Sequence, residues 1–112
     1  MNAALKPVWY YILVALGSDD RHGQSIAREV HQLSAGQVRL WPATLYGALE
    51  ELEQRGWIEE LGDTRRPADE SQKRRYYRLT RAGRTALSAE TDRLASVVRI
   101  ARARVKPRHG NS

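Results

Sequence analysis

The chain has 112 residues, which suits one domain with a modest hydrophobic core. Lysine and arginine total 19 against 13 aspartates and glutamates, a formal charge of +6, and this balance favours a polyanionic partner, nucleic acid before an anionic membrane surface. Cysteine is absent from the sequence, which excludes disulfide frameworks and thiolate metal sites and fits a reducing compartment.

The first predicted element is a helix over residues 5–17, where apolar residues recur at helical spacing and Pro7 suits the first turn. The run 8–17 is about half the length of a bilayer span. It also lacks the basic flank and cleavage site of a signal peptide. We therefore expect a soluble, cytoplasmic protein with no membrane partner.

A turn is predicted over residues 18–24, followed by an amphipathic second helix over residues 23–34. Residues 37–40, Gln-Val-Arg-Leu, alternate polar and apolar side chains and are interpreted as a very short strand. A third helix is predicted over residues 42–55, with proline at its first position and Gly56 just beyond its end.

The second half of the chain is predicted to hold a hairpin and one long helix. Residues 57–61 and the alternating, aromatic residues 74–80 form two strands joined by a long polar loop. Thr80 is a candidate N-cap for a helix over residues 81–105. The basic tail, residues 106–112, is expected to be disordered.

This order of elements predicts a mainly α winged helix-turn-helix, with a two- to three-stranded wing sheet and a long C-terminal dimerisation helix. Residues 1–80 are assigned to the DNA-binding domain and residues 81–105 to dimerisation. In this motif the second helix of the pair places its N-terminal residues on base edges in the major groove. The first turn of the third helix carries no acid, which suits an approach to phosphates.

Candidate DNA contacts lie in that first turn and in the predicted wing. The helix contributes Pro42, Ala43, Thr44, Tyr46 and Gly47, and the wing contributes Arg65, Arg66, Lys73, Arg74 and Arg75. Thr44 is expected to touch a base or phosphate and the Tyr46 hydroxyl a phosphate; the alternative is a surface threonine and a tyrosine packed on its neighbours. The wing cations are expected to contact phosphates or the minor groove; the alternative is a solvated loop that makes no DNA contact. Arg75 shares a strand face with Leu79, so an ion pair is its rival role.

The last helix carries an apolar stripe with heptad-like steps, which favours a homodimer because so long a helix cannot fold back wholly onto a small domain. Its members are Leu87, Thr91, Leu94, Val98, Ala101 and Val105. An aromatic cluster on the first helix comprises Trp9, Tyr10 and Tyr11. It is interpreted as core and dimer packing, with an apolar effector cavity at the dimer interface as the alternative.

Catalytic and metal-binding patterns are not found in the sequence. His22 and His31 are nine positions apart with no cysteine nearby, so a metal site is not expected, and His22 is expected to cap or pack near the turn. No nucleophile stands beside an obvious base, and there is no glycine-rich phosphate loop. We expect neither an enzyme nor a cofactor.

The acids Glu50, Glu51 and Glu53 of the third helix are expected to pair with Arg55 or with the basic surface.

Three segments together resemble the PadR family of transcriptional regulators. They are ILVALGSDDRHGQSIAREV, WPATLYGALEELEQRGWIEE and DESQKRRYYRLTRAGRTAL, within about residues 5–90. The resemblance implies a bacterial regulator, usually a repressor and a homodimer, of the smaller branch with a single C-terminal helix. Some relatives bind a small aromatic effector. The chain departs from the family pattern at Trp41, often serine, at Gly47, often proline, and at Gln24, often tyrosine.

The sequence and this resemblance together predict a homodimeric repressor that binds a pseudo-palindromic operator in double-stranded DNA, with a small aromatic effector as a further candidate partner that would release it. One alternative is a winged-helix module for protein or RNA contacts. Another is a small-molecule sensor in which DNA binding is secondary.

Overall fold

The computed structural model describes residues 5–62 and 75–107. Within these ranges the chain forms four α-helices and three strands. In chain order they are α1 Pro7–Ser18, β1 Arg21–His22, α2 Gly23–Leu33, α3 Pro42–Gln54, β2 Ile58–Glu60, β3 Tyr76–Leu79 and α4 Arg81–Val105. The basic tail beyond residue 107 and most of the predicted wing loop lie outside the described residues.

The helix ends follow the signals in the sequence. Pro42 stands at the first position of α3, and Gly56, with φ of 76°, follows its C-cap as only glycine does without strain. The Thr80 hydroxyl accepts a hydrogen bond from the Gly83 amide at 3.0 Å and caps α4. The imidazole of His22 accepts a hydrogen bond from the Ser25 amide at 3.3 Å and caps α2. The capping roles predicted for Thr80 and His22 are confirmed.

The prediction of a strand at residues 37–40 is wrong. The alternation is present, since Leu40 is buried and Arg39 is exposed, but the segment pairs with no strand among residues 5–62 and 75–107 and has no regular secondary structure. Its Val38 amide donates to the Ser34 hydroxyl at 2.9 Å, a local bond from the end of α2 that takes the place of a ladder bond.

The prediction that residues 18–24 form only a turn is also wrong, because β1 lies within them. Arg21 pairs with Tyr77 and His22 with Tyr76, so β1 joins the sheet as a third strand in the antiparallel order β1-β3-β2. The Arg21 side chain also donates to the Ala15 carbonyl near the end of α1, at 2.8 Å. Two residues are too few to show a period, so this pairing is not visible in the sequence.

The hydrophobic core lies between the first three helices and one face of the sheet. Its buried members are Trp9, Ile12, Leu13, Leu16, Ile26, Val30, Leu40, Leu45, Ala48, Leu49, Leu52, Ile58, Tyr77 and Leu79. Each large side chain contributes roughly 1.5–3 kcal/mol when fully buried. Tyr77 and Leu79 share the buried face of β3, and the predicted winged helix-turn-helix architecture is confirmed.

α4 leaves this core after its first turns. Leu87 packs against the core edge, but the helix runs on for 25 residues, about 37 Å, and the molecule is 63 Å along its longest axis. Among the described residues no helix combines the length and apolar character needed to cross a lipid bilayer.

Candidate nucleic-acid interface

The first turn of α3 presents an open, acid-free surface. Pro42, Ala43, Thr44, Tyr46 and Gly47 are all exposed, while the opposite face of the helix is buried. The N-cap side chain makes no capping hydrogen bond, so the free amides of the first turn are available to an external acceptor. These amides and the positive end of the helix dipole favour an anion here, as a phosphate would provide.

Tyr46 is both exposed and packed. Its side chain is 43% exposed, yet its hydroxyl lies against Gly23, so close that a Cβ at Gly23 would overlap the hydroxyl oxygen. The tyrosine thus bridges α3 and the start of α2. The packed alternative is present in the structure, and the hydroxyl lies beside a second helix N-terminus.

Two neighbouring residues, Trp41 and Arg39, were missed by the sequence reasoning as contributors to this surface. Trp41 is 62% exposed at the N-cap of α3. The guanidinium carbon of Arg39 lies 5.4 Å from the centroid of its ring, in cation–π geometry. The alternation through buried Leu40 is the available signal, but alternation alone also fits a strand.

The structure describes one of the five predicted wing cations, Arg75. Its Nε lies 3.8 Å from a carboxylate oxygen of Glu60. A hydrogen bond with the Tyr77 hydroxyl and the Glu60 carboxylate both raise the pKa of Arg75. The rival ion pair is therefore present, and a phosphate contact by Arg75 stays a prediction. Arg65, Arg66, Lys73 and Arg74 lie outside the described residues.

The acids of α3 do not pair with Arg55. The guanidinium of Arg55 instead covers Trp9, 4.6 Å from the ring centroid, and Glu51 lies 4.0 Å from the amine of Lys6. Partial burial and Glu60 raise the pKa of Glu53, and Arg75 opposes this shift. The acids therefore lie along the rest of α3 and leave its first turn clear.

The three aromatic residues of α1 do not line one common cavity. Trp9 is buried and meets Trp57 edge to face, with ring centroids 6.2 Å apart. Tyr10 bonds the Thr91 hydroxyl of α4 at 2.8 Å, and Tyr11 packs against the core edge. Core packing is therefore present at Trp9 and Tyr11, and an inter-helix bond at Tyr10.

One open cleft of about 650 Å³ lies where the end of α1, the sheet and the start of α4 meet. Charged residues dominate its rim, including Asp19, Glu59, Arg78, Arg81 and Arg84. Arg78 is already paired with Glu59 at 2.6 Å. None of the three aromatic residues of α1 lines this cleft, so it does not match the predicted apolar effector cavity.

The predicted stripe of α4 changes its environment along the helix. Leu87 and Leu94 are half-buried, and Thr91 is tied to α1 through Tyr10. Beyond them Val98, Ala101 and Val105 are exposed. Val97 is exposed beside them, so the second half of α4 carries a contiguous apolar surface.

Sequence comparison finds matches over most of the chain. Residues 12–89 match the Transcriptional regulator PadR-like family. An uncharacterised protein X of Lysinibacillus sphaericus is 32% identical over 90 residues, which cover 80% of this chain and 79% of that protein. An uncharacterised 37.1 kDa protein in transposon Tn4556 of Streptomyces fradiae is 36% identical over 84 residues, 75% of this chain but only 22% of that protein.

The fold comparison agrees. The crystal structure of a PadR-like transcriptional regulator from Bacillus cereus superposes with a TM-score of 0.75, covering 90% of this chain and 93% of that one at 16% identity. Members of the family act in transcription regulation and are not enzymes. The profile match over more than half of the sequence, together with this fold, shows that the chain belongs to the PadR-like family of transcriptional regulators.

Proposed function

We propose that this protein is a homodimeric repressor that binds a pseudo-palindromic operator through the first turn of α3. The observation that carries the proposal is the exposed, uncapped and acid-free first turn, with Thr44 and Tyr46 outward on a rigid, core-anchored helix. A helix so presented fits the major groove, where side chains can reach base edges. The +6 charge of the chain supports attraction to the duplex.

A second copy of the chain is the proposed cover for the exposed half of α4. Water-exposed valines along two turns of a helix favour association. The heptad-like steps to Val98 and Val105 suit packing against another helix. Two subunits related by a two-fold axis present two α3 helices, which read half-sites about 34–36 Å apart, one turn of the duplex.

Repression is the proposed outcome, because a dimer that spans two successive major grooves denies that DNA to other proteins. The small aromatic effector predicted from the sequence receives less support. The described residues of a single chain hold Trp9 in the core, and the rim of the cleft is charged.

Selection of bound sequences from random duplex DNA tests the proposal. The expected result is enrichment of an inverted repeat whose half-sites are centred about one helical turn apart. A reporter gene placed behind that repeat should then be expressed less when the protein is present. Failure to enrich any duplex, or enrichment of a single asymmetric site, would contradict the proposal.

A further inference from the structure

Trp41 is exposed at a position where its side chain contributes little to the stability of the fold. It occupies the N-cap of α3, where Ser, Thr, Asp or Asn would accept a bond from a first-turn amide, and it makes no such bond. The residue is 62% exposed, so much of its apolar surface stays in water. A contact outside the chain would account for both features.

Trp41 and Arg39 lie together on the surface. Both are exposed, while Leu40 between them is buried in the core. The Arg39 guanidinium lies over the indole, 5.4 Å from the ring centroid. The pair thus places a flat apolar ring and a cation together beside the exposed first turn of α3.

We propose that Trp41 is a specificity-determining residue, whose indole packs on a thymine 5-methyl group in the major groove at the edge of each half-site, while Arg39 contacts a flanking phosphate. This inference rests on the proposed function. Thymine methyl is the apolar group that base pairs present in the major groove, and it is recognised by apolar side chains. A nearby cation suits a surface that must approach the phosphate backbone.

The methyl contact is tested by replacing thymine with deoxyuridine, one position at a time, in the selected operator. This exchange removes the methyl group and keeps every hydrogen-bonding group. The wild-type protein should bind about fourfold less tightly per lost methyl, the value of one buried methyl-sized group, at one position in each half-site. Trp41→Ser should show no loss at that position, whereas Trp41→Phe should retain it.

Arg39→Ala serves as the matched phosphate variant. It should weaken binding to every duplex alike and make the salt dependence shallower by about one phosphate contact, while the thymine preference remains. Trp41→Ser should sediment as the wild type does and unfold at the same temperature or higher, since serine caps helices better.

Three outcomes would overturn the inference while the proposed function stands. In the first, the thymine preference survives in Trp41→Ser. In the second, Trp41→Ser weakens binding to all duplexes equally, as expected if the indole packs on the sugar-phosphate backbone. In the third, Trp41→Ser alters the oligomeric state, as expected if Trp41 lies in the subunit interface. If the wild-type protein selects no duplex at all, the proposed function and this inference both fall.

Discussion

The phenol of Tyr46 occupies the space that a Cβ on Gly23 would need. The side chain of Tyr46, on the exposed face of α3, therefore packs directly against the backbone of Gly23, the first residue of α2. The spacing of the two helices and the position of the tyrosine hydroxyl depend on glycine at position 23.

Gly23→Ala should lower the free energy of unfolding by about 1–3 kcal/mol, because the added methyl overlaps Tyr46. The matched control is Gly47→Ala on α3, where a Cβ meets nothing within 4 Å; it should stabilise the helix by about 0.5–1 kcal/mol. Chemical denaturation of both variants measures the difference. Equal effects would mean that Tyr46 swings away freely.

The features predicted correctly from the sequence are those set by interactions between residues close together in the chain. α4, with bounds at 81 and 105, and the cap at Thr80 were predicted correctly because period and capping are local. β1 was missed because its strand pairing is with residues more than fifty positions away. The outward side of Arg39 and Trp41 was missed because alternation does not tell an isolated extended segment from a strand.

Thr44→Ala should relax base preference at one position of each half-site, by about 1–3 kcal/mol, because Thr44 is exposed in the first turn of α3. The melting temperature should change little. Thr85→Ala, at an exposed threonine on α4, is the control and should leave base preference unchanged. Titrations against single-base variants of the operator measure the effect. A uniform loss on all duplexes would make Thr44 a positioning contact only.

The predicted wing cations should contribute affinity through contacts with phosphates. Arg74→Ala is predicted to reduce the slope of log affinity against log salt by about one unit, the loss of one phosphate contact. Arg75→Ala should reduce it less, because Arg75 already lies beside Glu60. Binding titrations over a range of salt concentrations measure both slopes. If Arg74→Ala leaves the slope unchanged, Arg74 does not contact a phosphate.

Glu53→Gln should stabilise the protein at neutral pH, by less than about 1 kcal/mol given solvent screening. Burial raises the pKa of Glu53 above the ordinary glutamate value of 4.5, so its charged form disfavours folding. The contribution of the protonated acid is fully present below pH 4.5 and is lost as pH rises through the raised pKa. The advantage of the variant should therefore shrink below pH 4.5.

The dimer is probed at Val98, which is 47% exposed on the single chain, so a change there spares the core. Val98→Asp would bury an unpaired carboxylate in a subunit interface at a cost of several kcal/mol. Ser96→Asp adds the same charge on the opposite side of α4, two residues away, and is the control. Leu94→Asp should also disrupt the dimer. Because Leu94 is half-buried within the single chain, however, its replacement could destabilise the fold as well as the interface.

Sedimentation of the protein bound to its selected duplex tests the central claim most directly, because it reports oligomeric state and DNA binding together. The predicted result is two chains per duplex for the wild type and Ser96→Asp, and free, folded monomer with no specific complex for Val98→Asp. A Val98→Asp protein that still places two chains on the inverted repeat, or a wild type that binds it as one chain, would contradict the account.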